Sequence, residues 1–214
     1  MRIPEWLAEW GKKRIKEFQV EGFVYGQGPT AAKMMLVGEA PGETEILNGV
    51  PFSGRAGNEL MKFLHMAGVT REQVYITSVV RSRPYKWGEK KDRSGQIVKR
   101  KYNRPPTGGE ITAHAPILDY EISHVNAPII VTLGNVSLKR LAGADKSISR
   151  VHGSFLRQPV QRLSDDGDRY EWTAKIYTIY PLFHPASIFY NPGLRPLIEQ
   201  DIERLKNWLE GEHR

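Results

Sequence analysis

The sequence predicts an α/β domain with three layers, α/β/α, built on a mostly parallel central sheet of about four strands. Two observations predict it. Short apolar runs rich in β-branched residues alternate with segments whose apolar residues recur at helical spacing. The first such run, Met34 to Val37, halts at a Gly-Glu-Ala-Pro-Gly turn and is followed by a helix, the usual way a strand enters a right-handed crossover in a parallel sheet.

The elements follow in order. Residues 4 to 18 place Trp6, Leu7, Trp10 and Phe18 at helical spacing after Pro4, and Trp6 and Trp10 are expected in the core. Gly22 to Thr30 is a loop. The strand from Met34 ends where Gly38, Pro41 and Gly42 supply backbone freedom, a fixed φ and missing side chains, so the chain turns tightly and its backbone can approach a bound group. Pro51 and Phe52 lead into a helix over 56 to 67 with Leu60, Phe63, Leu64 and Ala67 on one face, stopped by Gly68. Thr70 to Gln73 has the form of a capping box, and Val74 to Val80 is the second strand.

Residues 84 to 107 hold Pro, Gly, Lys and Arg with few aliphatics and read as a long excursion without secondary structure. Helical spacing resumes through Ile117, Leu118, Ile122 and Val125, with Pro116 opening or kinking that helix. Pro128 to Gly134 is the third strand, Asn135 to Leu141 a short helix, and Val151 to Leu156 a further short strand. Asp165 to Arg169 forms a turn before a strand from Lys175 to Leu182. The chain ends in a helix with Leu197, Ile198, Ile202, Leu205, Trp208 and Leu209 on one face. No repeat or boundary interrupts this pattern, so 1–214 reads as one domain with a basic excursion at about 84–107.

The net charge of +7 is concentrated. Between Arg81 and Arg104 ten Lys and Arg face two acids, a balance of +8, so the other 190 residues carry −1. A local basic patch interleaved with Tyr85, Trp87 and Tyr102 fits a polyanion, above all DNA; a solvated loop kept for solubility is the plainer reading. The sequence holds no cysteine, which excludes disulfides, thiolate metal sites and cysteine-bound iron–sulfur clusters. The histidines are scattered without a carboxylate cluster, so no metal site is expected. There is no GxxxxGK[ST], no GxGxxG after a strand and no GxSxG elbow. No apolar run nears the roughly 20 residues of a membrane span, and a soluble, cytoplasmic monomer is expected.

In a parallel sheet the carboxyl ends of the strands share one rim. Here that rim collects Gly38 to Gly42, Ser78 to Arg83, Gly134 with Asn135, and Phe183 to Ser187. His184 stands just after a strand, placed to donate a hydrogen bond to charge developing on a leaving group; a lone histidine is as readily a satisfied surface or core residue.

With these loops assembled, the sequence resembles the uracil-DNA glycosylase superfamily, in particular its family 4. The resemblance rests on GEAPG at 38–42, GVPF at 49–52, GRAG at 54–57, NRPPT at 103–107, PIIVTLG at 128–134 and HPASIFYNP at 184–192, in family order over most of the chain. It implies a monofunctional hydrolase that cleaves the N-glycosidic bond of uracil, or of a related or modified base, flipped out of DNA. It further implies Glu39 and His184 as catalytic residues, with Glu39 near the attacking water and His184 stabilising the departing base. Gly38, Ala40, Pro41, Gly42 and Ser78 would line the base pocket and Phe52 would stack on the base. Pro185, Ser187 and Asn191 would belong to a loop that wedges into the duplex. The basic excursion is longer than the family usually has, and from its charge Arg81, Arg83, Lys90, Lys91, Lys99, Arg100, Lys101 and Arg104 are expected to grip DNA, with a lid over a pocket enlarged at Ser78 as the alternative.

The sequence departs from the family in three places. Four cluster-binding cysteines are missing: Ser82 falls at one of their positions and His114 at another. Ser78 stands where the family has an asparagine that reads the uracil edge with both a donor and an acceptor, so another base is also admissible. Ile46 stands where an acidic residue is common, with Glu43 and Glu45 nearby. These departures leave open a member that binds DNA without catalysis, and a small-molecule nucleotide binder is the remaining alternative.

Overall fold

The computed structural model describes residues 1–92 and 94–211. Helix α1 (Glu5–Ile15) is followed by the two-residue strand β1 (Val20–Glu21) and then by β2 (Met34–Gly38). Helices α2 (Glu43–Asn48) and α3 (Arg55–Met66) lead to β3 (Val74–Ser78), which ends two residues earlier than the sequence suggested. Strands β4 (Arg83–Lys91) and β5 (Ile97–Asn103) precede the long helix α4 (Gly108–His124). Then come β6 (Ile130–Leu133), α5 (Asn135–Ala142), the single turn α6 (Ile148–Val151), and the hairpin of β7 (Leu156–Leu163) and β8 (Tyr170–Leu182). Two 3-10 turns, Pro185–Phe189 and Pro192–Leu194, lead into α7 (Arg195–Glu210).

The central sheet has the order β3-β2-β6-β8-β7. The first four strands run parallel and β7 pairs antiparallel with β8, giving five strands rather than four. The extra strand starts where the expected strand at 151–156 was to end. Residues 148–151 are helical instead, and β7 is legible only through its pairing with β8, because most of its residues are only half-buried.

Alternation along β2 makes the layers. Met34 and Leu36 face a core closed by Leu60, Phe63 and Leu64 of α3 and Ile198, Ile202 and Leu205 of α7. Met35 and Val37 face the opposite core, with Leu118 and Ile122 of α4 and Leu138 and Leu141 of α5. Helix α4 begins with a capping box, Thr107 Oγ1 accepting from Glu110 N–H and Glu110 Oε2 from Thr107 N–H, and carries Pro116 in its interior.

Of the two tryptophans of α1 expected in the core, Trp10 is partly buried against Ile3, Leu7, Ala8 and Ile117, but Trp6 is not. Leu7, Ala8, Gly11 and Ile15 are buried, whereas Trp6 is 67% exposed. Helix α1 lies close against α4: a Cβ on Gly11 would sit 2.4 Å from Ile117 Cδ1, so the contact side must be the one bearing glycine and alanine.

The basic excursion is not free of secondary structure: it carries β4 and β5. Its strands form a hairpin with seven cross-strand pairs, from Tyr85–Asn103 at the root to Lys91–Ile97 near the tip, and β1 extends it to a second, three-stranded sheet. Among the described residues no helix is long and apolar enough to cross a membrane.

Candidate active site

The parallel register puts Gly38 beside Ser78 at the ends of β2 and β3, while Gly134 N–H donates to Leu182 C=O beyond β6 and β8. These ends meet at a pocket of about 330 Å³ lined by Ala40, Pro41, Gly42, Phe52, Ser78 and His184 from the expected set, joined by Glu45, Asn103 and Tyr190 among others. Chain segments as far apart as Ala40 and Tyr190 thus converge on one rim, as the topology requires.

Phe52 is fixed by two glycines. It has φ 54°, the one positive value outside glycine among the described residues, and so carries backbone strain that its surroundings must hold. A Cβ on Gly57 would lie 1.8 Å from Phe52 C=O, and a Cβ on Gly38 2.6 Å from the Phe52 ring. Arg71 Nη2 donates to Pro51 C=O at 2.7 Å from behind. The ring therefore stands at one wall, its centroid 5.8 Å from that of His184.

His184 precedes the turn Pro185–Phe189 and caps it: Ala186 N–H donates to His184 Nδ1 at 3.2 Å. Nδ1 is thereby an acceptor, which leaves the proton on Nε2. Burial pushes the imidazole down to about 4, against the opposing influence of the Glu45 carboxylate, so the ring is neutral at pH 7. Gly134 makes room for it, since a Cβ there would lie 3.2 Å from His184 Cβ.

Glu45, which the sequence marks only as a neighbour of Ile46, brings a carboxylate into the wall beside Glu43. Its Oε2 accepts from Gly42 N–H at 3.0 Å, and its Oε1 from Ser53 and Gly54 N–H at 3.1 and 2.9 Å. The side chain thus ties the GEAPG turn to the GRAG turn. Glu39 does not line the pocket; burial raises its carboxyl above the ordinary range.

Asn103, within the quoted NRPPT motif but given no role, is the second residue the sequence did not disclose. Arg83 Nε donates to Asn103 Oδ1 at 2.6 Å, leaving the amide nitrogen free to donate. The position of a Cβ on Gly42 would be 3.2 Å from Asn103 Nδ2 and 2.8 Å from Glu45 Oε2. The glycine keeps open a slot bordered by a donor and an acceptor.

Ser78 is buried and donates its hydroxyl to Val80 C=O at 2.8 Å. With that proton spent, it offers the pocket lone pairs only.

The model of the uracil DNA glycosylase superfamily matches residues 25–209. The chain belongs to that superfamily. It is 34% identical to the type-4 uracil-DNA glycosylase of Sulfurisphaera tokodaii over 96% of this chain and 82% of that protein. It is 32% identical to the type-4 uracil-DNA glycosylase of Thermotoga maritima over 88% and 84%. A DNA polymerase of Bacillus phage SP01 is also similar, 29% identical over 92% of this chain but 18% of the polymerase.

The concentrated charge suggested that several arginines meet DNA, and three of them are engaged within the protein instead. Arg81 is 1% exposed; its guanidinium bonds Glu121 and Thr77, and Glu121 also accepts from Tyr75 Oη at 2.9 Å. Arg83 is buried against Glu21 at 2.7 Å as well as Asn103, and Arg104 forms a bidentate pair with Glu110 at 2.6 and 2.9 Å. The charge of each is thus answered by a carboxylate within the protein rather than by phosphate. Arg100 and Lys101 are anchored to Glu43 and Glu21, whereas Lys90, Lys91 and Lys99 are exposed without an ion pair among the described residues.

In the loop after His184, Pro185 is buried and Asn191 Oδ1 accepts from Gly193 N–H at 3.1 Å. Ser187 Oγ is buried with no partner among the described residues. Asn191 is exposed, and beside it stands Tyr190, 89% exposed, next to Phe189, on whose ring the Arg55 guanidinium stacks at 4.5 Å.

The iron–sulfur cluster usual in the resembled family was excluded by the lack of cysteine, and the residues at two of its expected positions do not fit one. His114 is buried with both nitrogens engaged: Nδ1 accepts from Arg81 N–H at 2.9 Å and Nε2 lies 3.2 Å from Gly11 C=O. Ser82 brings a buried hydroxyl in place of a thiolate, and among the described residues no group of three His, Cys, Asp or Glu is arranged to hold a metal.

Proposed function

We propose that this chain is a DNA glycosylase that takes uracil, or a base sharing its imide edge, out of DNA and hydrolyses its N-glycosidic bond. One observation carries the reading: a neutral His184 whose single proton sits on Nε2, in a pocket walled by Phe52.

A flipped base stacks on Phe52 and meets His184 at its edge. As the C1′–N1 bond breaks, the base leaves with the electron pair, and the Nε2 proton donates a hydrogen bond to the oxygen on which the charge collects. A fixed donor in a water-poor site stabilises that charge without reorganising. The Glu45 carboxylate offsets the positive charge developing on the sugar. Water in the Gly42 slot accepts from Asn103 Nδ2 and donates to Glu45 Oε2; its oxygen bonds to C1′ and its proton ends on the departing base. Glu39, assigned this role by resemblance, stands outside the pocket wall and plays at most a supporting part.

Among the described residues no lysine lines the pocket, which supports a monofunctional enzyme, since strand cleavage through a Schiff base requires an amine. A cytoplasmic monomer completes the reading. The test is to incubate the protein with duplexes that each carry one candidate base and to look for alkali-labile sites. Release from uracil or a related imide base supports the proposal; DNA binding with no release from any base would leave a binding protein.

A further inference from the structure

We propose that the β4–β5 hairpin is a DNA-gripping ribbon that lies along the duplex on one side only of the flipped base. This rests on the glycosylase reading for the position of the base.

The root of the hairpin is part of the pocket. Asn103 lines it, and Arg100 donates to Glu43, another lining residue, at 3.2 Å. That root is clamped by Arg83 to Glu21, by Arg104 to Glu110, and by Arg104 Nε to Tyr85 C=O at 3.1 Å. Beyond the root the ribbon packs on little else: Trp87, Ile97 and Val98 are exposed, as are Lys90, Lys91 and Lys99. The two acids in this stretch, Glu89 and Asp92, are outnumbered by ten Lys and Arg between Arg81 and Arg104, so the stretch keeps its balance of +8. A solvated strand pair has no need of tryptophan, isoleucine and valine among its lysines, whereas a ribbon laid against DNA uses both phosphate pairing and apolar contact.

Geometry sets the side and the length. From the Tyr85–Asn103 pair to the Lys91–Ile97 pair is six steps, which at about 3.3 Å each is roughly 20 Å, or about six base pairs. Because the ribbon leaves one rim of the pocket, it can follow only one flank. A lid over the pocket would require the ribbon to fold back, and its clamped root opposes that.

The experiment measures binding by fluorescence anisotropy to uracil duplexes with about 10 base pairs on both sides, or with one flank cut to about three. For the natural protein, shortening one flank should weaken binding at least tenfold more than shortening the other. In the Lys90→Gln, Lys91→Gln, Lys99→Gln variant that asymmetry should vanish, and the slope of log affinity against log salt should fall by about 2–3. The Lys→Arg counterpart should restore both, which separates charge from folding. Equal dependence on the two flanks in the natural protein, or an unchanged slope in the Gln variant, overturns the proposal. The readout is affinity, so absence of base release would count against the glycosylase reading while leaving the flank result decisive for the ribbon.

Discussion

Arg83 Nε donates to Asn103 Oδ1 at 2.6 Å, and this contact decides which end of the amide faces the pocket. Arg83 is itself held by Glu21 at 2.7 Å, so orientation passes from β1 through β4 to β5. If the amide nitrogen positions the attacking water, Asn103→Ala should slow single-turnover base release by about 10²-fold while affinity for uracil DNA changes little. A fall in affinity with an unchanged release rate would make Asn103 a DNA contact instead.

Ser78 gives up its only proton to Val80 C=O, so on the proposed reading the side chain at this position offers the base edge an acceptor and no donor. An acceptor takes the imide N–H of uracil but gives nothing to its carbonyl, and discrimination against other bases suffers accordingly. Ser78→Asn should raise the preference for uracil over cytosine by about 10- to 100-fold, the worth of one buried hydrogen bond at 1–3 kcal/mol. Competition assays with both bases measure this ratio; a ratio unmoved or reduced contradicts the account.

His114 predicts a pH dependence of stability. Burial first, then the positive charge of Arg81, pushes its imidazole from 6.5 down to about 3. The unfolded chain binds a proton near 6.5 and the folded chain does not, so stability is full above that pH and is lost progressively as pH falls toward 3. His184, lowered to about 4, acts in the same direction. His114→Gln should therefore lower Tm at pH 7.5 yet lose less on acidification to pH 5 than the natural protein. An equal or steeper loss in the variant would show that His114 is not buried neutral.

Tyr190 stands 89% exposed at the pocket mouth, where an aromatic side chain can fill the gap left by a flipped base. Tyr190→Ala should slow release from duplex DNA by about tenfold and affect single strands much less, because only the duplex has a stack to refill. Equal losses on both substrates would remove the wedge role.

The strand ends that form the pocket were legible in the sequence. Gly38 to Gly42, Ser78 and His184 follow apolar strands whose direction and neighbours are dictated by α/β topology, and Phe52 stands before a strongly periodic helix. The residues that were not legible depend on partners distant in sequence. Glu45 is defined by amides up to nine residues away, and Asn103 faces the pocket only because a hairpin carries it there. That hairpin escaped detection because Lys, Arg and Gly on both faces leave no apolar alternation; pairing makes it a strand, not propensity. Arg81 was misread for the same reason, since its charge is answered by Glu121, 40 residues onward. In α1, close packing at Gly11 outranked the apolar bulk of Trp6.

The central claim is that a neutral His184 carries leaving-group stabilisation, and single-turnover release of free uracil at saturating protein, in the natural chain and in His184→Ala, tests it most directly. The account predicts that the substitution slows release by about 10²- to 10³-fold with DNA affinity within a few fold. Release at an undiminished rate by His184→Ala would contradict it.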